Sequence, residues 1–422
     1  MKNLSYKPFF AVISIILIII ASIIILTIDK GSDISKDTQK DDETIKPVAN
    51  ISNFGNAIND FAFKIFKEIY KENGKNVFIS PYSIFIALAM AYEGANGETA
   101  EEMAAVLSIQ RDNQSFHDFV KNLNDQLFNG ESCNVSTANA LWVKENLNLL
   151  EDYLYVIQNY YDGNSTNIDF SNPEQAADII NQWIENKTNN LIKDLIKAEN
   201  IDPFFTALIL TNAIYFKGNW EVQFDPINTT NGDFKLASGD IVTVPTMCMI
   251  DTYDYFNYTE TSDLQILELP YFGNEFSMVL LLPTNNDLSN IVNSIGNDDY
   301  PSWLGSFESN KVNIHLPKFE LEYEKNLKHI LIELGMSNAF TSDADFSDIT
   351  TDYDLWIDEV AHKAFVNVNE EGTEAAAATS LYVTFGFEEK IVFDVDHPFI
   401  FLIQHKETGT ILFMGSVDNP SE

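Results

Sequence analysis

The stretch Asn369-Glu370-Glu371-Gly372-Thr373-Glu374-Ala375-Ala376-Ala377-Ala378-Thr379-Ser380-Leu381-Tyr382-Val383-Thr384-Phe385-Gly386-Phe387 decides how this chain folds. A strand-like run, Ala364 to Val368, precedes it, and another, Ile391 to Val395, follows it. Gly372 loosens the backbone between them, because a residue without Cβ reaches positive φ at little cost. From Thr373 to Ser380 the side chains are mostly small. Taken with period two, Thr373, Ala375, Ala377, Thr379, Leu381, Val383 and Phe385 form an uncharged set. Glu374, Ala376, Ala378, Ser380, Tyr382 and Thr384 form a more polar one. That asymmetry suits an exposed loop able to become a strand with one buried face. Alanine is also the best helix former, so Glu374 to Ala378 taken alone reads as a helical turn or plain loop. The surrounding sequence has to decide.

The chain has 422 residues, 45% of them hydrophobic, enough for a sizeable core. Its formal net charge is −38, and Arg111 is its only arginine. Nucleic acid is excluded as a partner, because phosphate binding needs a basic patch. The acidity itself reads as solubility. Two cysteines, Cys133 and Cys248, leave one disulfide open.

Lys2 and Lys7 precede an uncharged run from Phe9 to Ile28. A helix of that length spans about 30 Å, the thickness of a bilayer core. No Ala-x-Ala follows it, so residues 1–28 read as an uncleaved signal anchor, with a cleaved signal peptide as the alternative. Both place the body outside the cytoplasm: at the cell surface, held to the membrane through residues 9–28, or secreted. Residues 29–50 read as a charged, flexible linker, and residues 51–422 as one domain. Sequons at Asn134, Asn164, Asn186, Asn228 and Asn257 matter only in a glycosylating pathway.

Within the body, Ile58, Phe61, Ala62, Ile65, Phe66 and Ile69 keep helical spacing, predicting a helix over 54–71. A short strand at Asn76–Ser80 leads to Ser83–Tyr92, apolar nearly all round and so a buried helix. Thr99 and Glu102 read as a capping box for the helix that follows. Further helices are expected over 173–198 and 325–334. Strands are expected over 138–143, 207–216, 264–269, 276–282, 312–316, 399–405 and 411–417. Helices early and strands late make this an α+β chain.

The search for catalytic chemistry is negative. GxSxG, HExxH, GxGxxG and Walker loops are absent, and no two of the six histidines lie at metal-ligand spacing. The residues imply no catalytic group, metal or cofactor.

Six motifs, in order, carry a resemblance. Asn76-Val77-Phe78-Ile79-Ser80-Pro81-Tyr82-Ser83-Ile84, Thr211-Asn212-Ala213-Ile214-Tyr215-Phe216-Lys217-Gly218-Asn219-Trp220 and His315-Leu316-Pro317-Lys318-Phe319 are three of them. Glu370 to Ala378, Asp396-His397-Pro398-Phe399 and Phe413-Met414-Gly415 complete the set. Together they resemble the serpin family over nearly all of residues 51 to 420. The resemblance implies three β-sheets, about nine helices and an exposed reactive-centre loop. It further implies a monomeric suicide-substrate inhibitor whose partner is a target serine protease held covalently. A protease attacks the loop, forms an acyl-enzyme, and is dragged away as the cleaved loop enters the main sheet. Loop insertion of this family is a known case of strand addition and of switching. The same fold also serves non-inhibitory binding or chaperone-like members and inhibitors of cysteine proteases, which stand as alternatives.

By resemblance, Ser80, Ser83, Asn212 and His362 match a polar cluster under the sheet where strands part. Trp220 matches the tryptophan where insertion begins. Lys318 and Glu370 match positions that pair across that opening. Glu370 to Thr379 match the hinge, whose small side chains slip between strands. A charge or proline among the buried set would block insertion, and the hinge has neither there.

Family spacing from Glu370 puts Gly386 before the scissile bond and Phe387 after it. Counting back from Pro398 over shorter loops puts Phe387 before it, and Phe385 is a third option. An aromatic suits chymotrypsin-like or subtilisin-like proteases. No Arg or Lys lies between Lys363 and Lys390, which excludes trypsin-like targets. Gln404 and Ser416 depart from positions where the family is often basic. No basic surface comparable to a heparin-binding helix is evident.

Overall fold

A computed structural model of the chain describes residues 51–109, 114–129, 133–252, 254–296, 298–373 and 390–422. The opening helix α1 (Ile51–Asn73) has Ile58, Phe61, Ala62, Ile65, Phe66 and Ile69 wholly buried. Lys64 and Lys71 face outward and pair with Asp60 and Glu68 one turn back. Strand β1 (Val77–Ile79) runs into α2 (Pro81–Tyr92), in which every residue is buried. The Ser80 side chain accepts the Ser83 N–H at 3.2 Å, and Pro81 opens the first turn, where its missing donor costs nothing.

The chain continues through α3 (Gly97–Leu107), α4 (Gln114–Asn129), β2 (Cys133–Lys144), α5 (Glu151–Tyr160), β3 (Asn164–Ile168) and α6 (Pro173–Lys187). Strands then dominate: β4 (Leu208–Asn219), β5 (Thr230–Lys235), β6 (Ile241–Met249), β7 (Phe256–Glu260), β8 (Leu264–Pro270) and β9 (Phe276–Pro283). After α7 (Ser289–Ser294) and α8 (Asp299–Gly305) come β10 (Glu308–Asn310), β11 (Val312–Pro317), β12 (Phe319–Asn326) and α9 (Lys328–Glu333). The last strands are β13 (Ile357–Asn369), β14 (Gly372–Thr373), β15 (Ile391–Asp394), β16 (Phe399–His405) and β17 (Thr410–Val417).

They form three sheets. One has seven strands, β1-β17-β16-β9-β8-β7-β10, and one has four, β15-β11-β6-β5. The six-stranded sheet, β12-β13-β14-β4-β2-β3, positions the site. Strands β2 and β4 alternate strictly. Leu141, Val143, Leu208, Leu210 and Ile214 face the main core, shared with α2 and the seven-stranded sheet. Ala140, Trp142, Ile209 and Ala213 face a second core with Ile180 and Ile184 of α6. This is the period-two signature of a sheet covered on both faces. The α+β class, the three sheets and nine helices among the described residues match the expected serpin fold.

Several sequence expectations are corrected. The helix expected over 173–198 stops at Lys187, because Asn189 and Asn190 take positive φ and turn the chain. The helix expected from 325 starts at Lys328, since Lys325 and Asn326 pair with His362 and Ala361 of β13. Thr99 and Glu102 make no capping box. The Thr99 hydroxyl donates to Asn338, and Glu102 accepts the Asn338 N–H. Both cysteines are free. The expected membrane-anchored or secreted location is also corrected. No helix among the described residues is long and apolar enough to cross a membrane. The longest, α1, carries Asp60, Lys64, Lys67, Glu68, Lys71 and Glu72. The run 9–28 on which that location rested lies outside the described residues, as does the linker 29–50.

Candidate functional site

Strands β13 and β4 run parallel and pair from Ile357 opposite Leu208 to Phe365 opposite Tyr215. Beyond Phe365 they part. Gly372 and Thr373 occupy the gap as β14, antiparallel to both neighbours. Thr373 lies opposite Val368 on one side and Gly218 on the other. The six-stranded sheet therefore has five strands for most of its length and six at one end.

The geometry at that end requires glycine. At Gly372, φ is +148°, and a Cβ there would lie 2.1 Å from the Gly218 carbonyl oxygen. Thr373 is wholly buried, with its hydroxyl 3.0 Å from the Tyr271 hydroxyl. Burial pushes the Tyr271 phenol well above its ordinary range, so it stays protonated. The Tyr271 ring stacks on Trp220 with centroids 4.7 Å apart. Trp220 holds the incoming segment from both sides: its indole donates to the Asn369 carbonyl at 3.0 Å, and its backbone N–H to that of Glu371 at 2.9 Å. Phe224 N–H donates to the Glu370 carbonyl.

Lys318 and Glu370 pair at 2.8 Å, and Thr229 donates to the same carboxylate at 2.8 Å. Burial alone would raise the Glu370 carboxyl. The hydrogen bonds from Lys318 and Thr229 outweigh it and hold the group below the ordinary glutamate value. Cys133 lies opposite Gly218, and burial pushes its thiol up to about 12. It is therefore protonated and unreactive.

Midway along the seam, Ser80, Ser83, Asn212 and His362 come together, all fully buried. His362 Nε2 accepts the Ser80 N–H at 3.3 Å. Its proton is therefore on Nδ1, which donates to the Asn212 side-chain oxygen at 2.5 Å. The Asn212 amide donates to the Ser83 hydroxyl and, at 2.6 Å, to Asn139. The Ser80 hydroxyl donates to the Leu412 carbonyl of β17 at 2.6 Å. Burial pushes the His362 imidazole down to about 3, the Asn212 bond offsetting part of this, so it stays neutral. Asn212 belongs to β4 and His362 to β13. A side-chain hydrogen bond thus crosses the seam beside the backbone ladder, and the Ser80 N–H, at the N-cap of α2, fastens it.

Sequence reading missed Asn139, Thr229 and Tyr271. Tyr271 falls between the expected strands 264–269 and 276–282, with nothing local to mark it. Of the hinge, Glu370 to Thr373 stand as described. Glu374, Ala375, Ala376, Ala377, Ala378 and Thr379 lie outside the described residues, as do Phe385, Gly386 and Phe387.

Comparison with known proteins gives one answer. A family model described as serpin (serine protease inhibitor) matches residues 56–420. An uncharacterized serpin-like protein of Thermococcus kodakarensis is 40% identical over 386 residues, 89% of this chain and 87% of that one. A crystal structure of Serpin48 from the insect Tenebrio molitor superposes with a TM-score of 0.79 at 35% identity. It covers 87% of this chain and 98% of its own. Human thyroxine-binding globulin superposes with a TM-score of 0.81 at 28% identity, covering 89% of this chain and 100% of its own. The match extends from α1 to β17, and the chain belongs to the serpin family.

Proposed function

We propose that the chain inhibits serine proteases as a suicide substrate, its loop being cleaved and then drawn into the seam between β13 and β4. The observation that carries this reading is β14: Gly372 and Thr373 already stand between those strands with ladder bonds on both sides. With Thr373 facing the core, period two places Ala375, Ala377, Thr379, Leu381, Val383 and Phe385 inward as insertion proceeds. None is charged, so none pays the large penalty of a buried charge.

The energetics run the same way. Insertion breaks one parallel ladder and makes two antiparallel ones, whose hydrogen bonds are better aligned. The gain is about one ladder, on the order of 10 kcal/mol at about 1 kcal/mol per bond, plus the burial of Leu381, Val383 and Phe385. A protease joined to the loop as an acyl-enzyme is carried along the sheet. The nucleophile is the protease's own. The bond cleaved lies among Phe385, Gly386 and Phe387, and an aromatic before it suits chymotrypsin-like or subtilisin-like targets.

The test mixes the chain with chymotrypsin and with subtilisin. It looks for an adduct that survives a denaturing gel and maps the released C-terminal peptide by mass. Clean cleavage by every protease in a panel that includes papain-like enzymes, with no adduct and no rise in melting temperature, rejects trapping and favours a non-inhibitory binding role.

A further inference from the structure

Helix α9 lies on the link from β12 to β13, and its apolar side belongs to the core. Ile330 and Leu331 are wholly buried there, in one cluster with Ile65 and Ile69 of α1. That packing fixes where the two helices meet at their rim. The outer side of α9 carries His329 and Glu333, four residues apart, and the last turn of α1 carries Glu72. One nitrogen or oxygen from each of these three side chains lies within 4.8 Å of the other two. No other three His, Cys, Asp or Glu side chains among the described residues converge in this way.

The spacing is that of donors around one small ion. Two ligands about 2.1 Å from a metal at the tetrahedral angle stand about 3.4 Å apart. His329 Nε2 and Glu333 Oε1 stand 3.3 Å apart. A charge-assisted hydrogen bond would be shorter, at about 2.7–2.9 Å. Side chains four apart on a helix project side by side, so the α9 backbone sets this pair. Glu72 brings the third donor from a separate element, and its torsions are free to close the remaining gap. The Lys325 ammonium of β12 pairs with Glu72 Oε2. A carboxylate has lone pairs on two oxygens, so Glu72 keeps that partner and still offers Oε1. Two carboxylates against one ammonium leave an excess of negative charge, which draws a cation. The His329 side chain is 72% exposed, so an ion has an open way in and room to keep water on its remaining positions.

We infer that Glu72, His329 and Glu333 form a binding site for one divalent transition-metal ion of the class that takes imidazole and carboxylate together, such as zinc. The imidazole selects against calcium and magnesium, which take oxygen ligands. The bound ion ties the end of α1 to α9, and so to the link between β12 and β13. As a ligand of the folded chain it adds stability by mass action. The site stands independently of protease inhibition.

The test titrates Zn²⁺ by calorimetry into the untagged full chain, first stripped of metal with a chelator, and follows the melting temperature alongside. The expected result is one ion per chain and a melting temperature that rises with zinc concentration. Even a residue that only supports a metal ligand is worth about 10–100-fold in affinity. His329→Ala and Glu333→Gln should therefore each weaken zinc binding at least about tenfold and remove the thermal shift. Both side chains face solvent, so without metal both variants should melt with the parent. Lys325→Ala removes a positive charge beside Glu72 and should tighten binding. Ca²⁺ at the same concentrations should give no saturable heat. Zinc uptake at several weak sites, equal in the parent and in His329→Ala, would reflect only the chain's general acidity and overturns the inference. A single saturable site that survives both ligand substitutions overturns it as well, by placing the ion elsewhere.

Discussion

The Thr373 hydroxyl lies 3.0 Å from the hydroxyl of Tyr271, whose ring stacks on Trp220, so the buried side chain of β14 is hydrogen-bonded to the turn between β8 and β9. Replacing Thr373 with arginine would put an unpaired cation where no water reaches. The T373R chain should still be cleaved in its loop but should leave no adduct on a denaturing gel. Trapping at the parent yield would show that insertion past this point is not required.

Gly372 carries the strictest backbone demand in the site. A Cβ would strike the Gly218 carbonyl, the Asn219 Cα and the Trp220 nitrogen. Gly372→Ala should expel β14 or strain it, at a cost of about 1–3 kcal/mol. Thermal unfolding should show a lower midpoint, and limited proteolysis should find the segment after Asn369 more readily cleaved than in the parent.

His362 makes stability depend on pH with a definite sign. Its folded value, about 3, lies below the ordinary histidine value. Between the two, the unfolded chain binds a proton that the folded chain does not, so stability falls as pH drops through that window, by up to about 1.4 kcal/mol per pH unit. Unfolding midpoints in urea between pH 7 and pH 4 measure this. Removing the histidine should lower stability at pH 7 and flatten the slope. A slope unchanged by His362→Gln would assign the acid sensitivity elsewhere.

The Lys318–Glu370 pair works in the same direction through a different group. Glu370 is held below its ordinary value, so the stability it gives is present above that value and is lost on acidification through the folded value. Lys318→Ala leaves the carboxylate with Thr229 and the backbone N–H of Glu370. It should cost about 1 kcal/mol, since the lysine itself is partly solvated. If the variant and parent melt alike at pH 7 and diverge nowhere, the pair contributes nothing.

Asn139 receives a hydrogen bond from Asn212 and one from Ser83, both buried. Asn139→Ala strands two donors and should destabilise by about 1–3 kcal/mol. Asn139→Asp keeps the acceptor and should recover part of the loss if its charge is tolerated. Equal loss in both variants would mean packing, and not hydrogen bonding, is what matters.

Much of this was legible in residue patterns. Apolar runs such as Leu264–Leu269 and Phe276–Leu282 could only be buried strands, and α2 was visible because no polar face interrupts it. The helix that fails after Lys187 shows the limit, because its pattern continues while two asparagines in left-handed backbone end it. Likewise Lys325 and Asn326 follow a helical pattern but are claimed by β13 as ladder partners. In the site, Asn212 was found in one of the quoted motifs and His362 only by resemblance to the family's polar cluster. Asn139 was not, because one amide between two alanines of an apolar strand has no local mark. Its meaning comes only from β2 lying beside β4.

The order of the seven-stranded sheet sets how the chain must reach its native state. β1, near the start of the described chain, pairs with β17, near its end: Val77 faces Ser416 and Ile79 faces Met414. β17 also pairs with β16, which pairs with β9. Contact order is therefore high, and the centre of the largest sheet cannot close until synthesis is nearly complete. During that interval β13 and β4, both already made, can pair in their own sheet although they lie far apart in sequence. Topology thus lets the seam between β13 and β4 close before the largest sheet does.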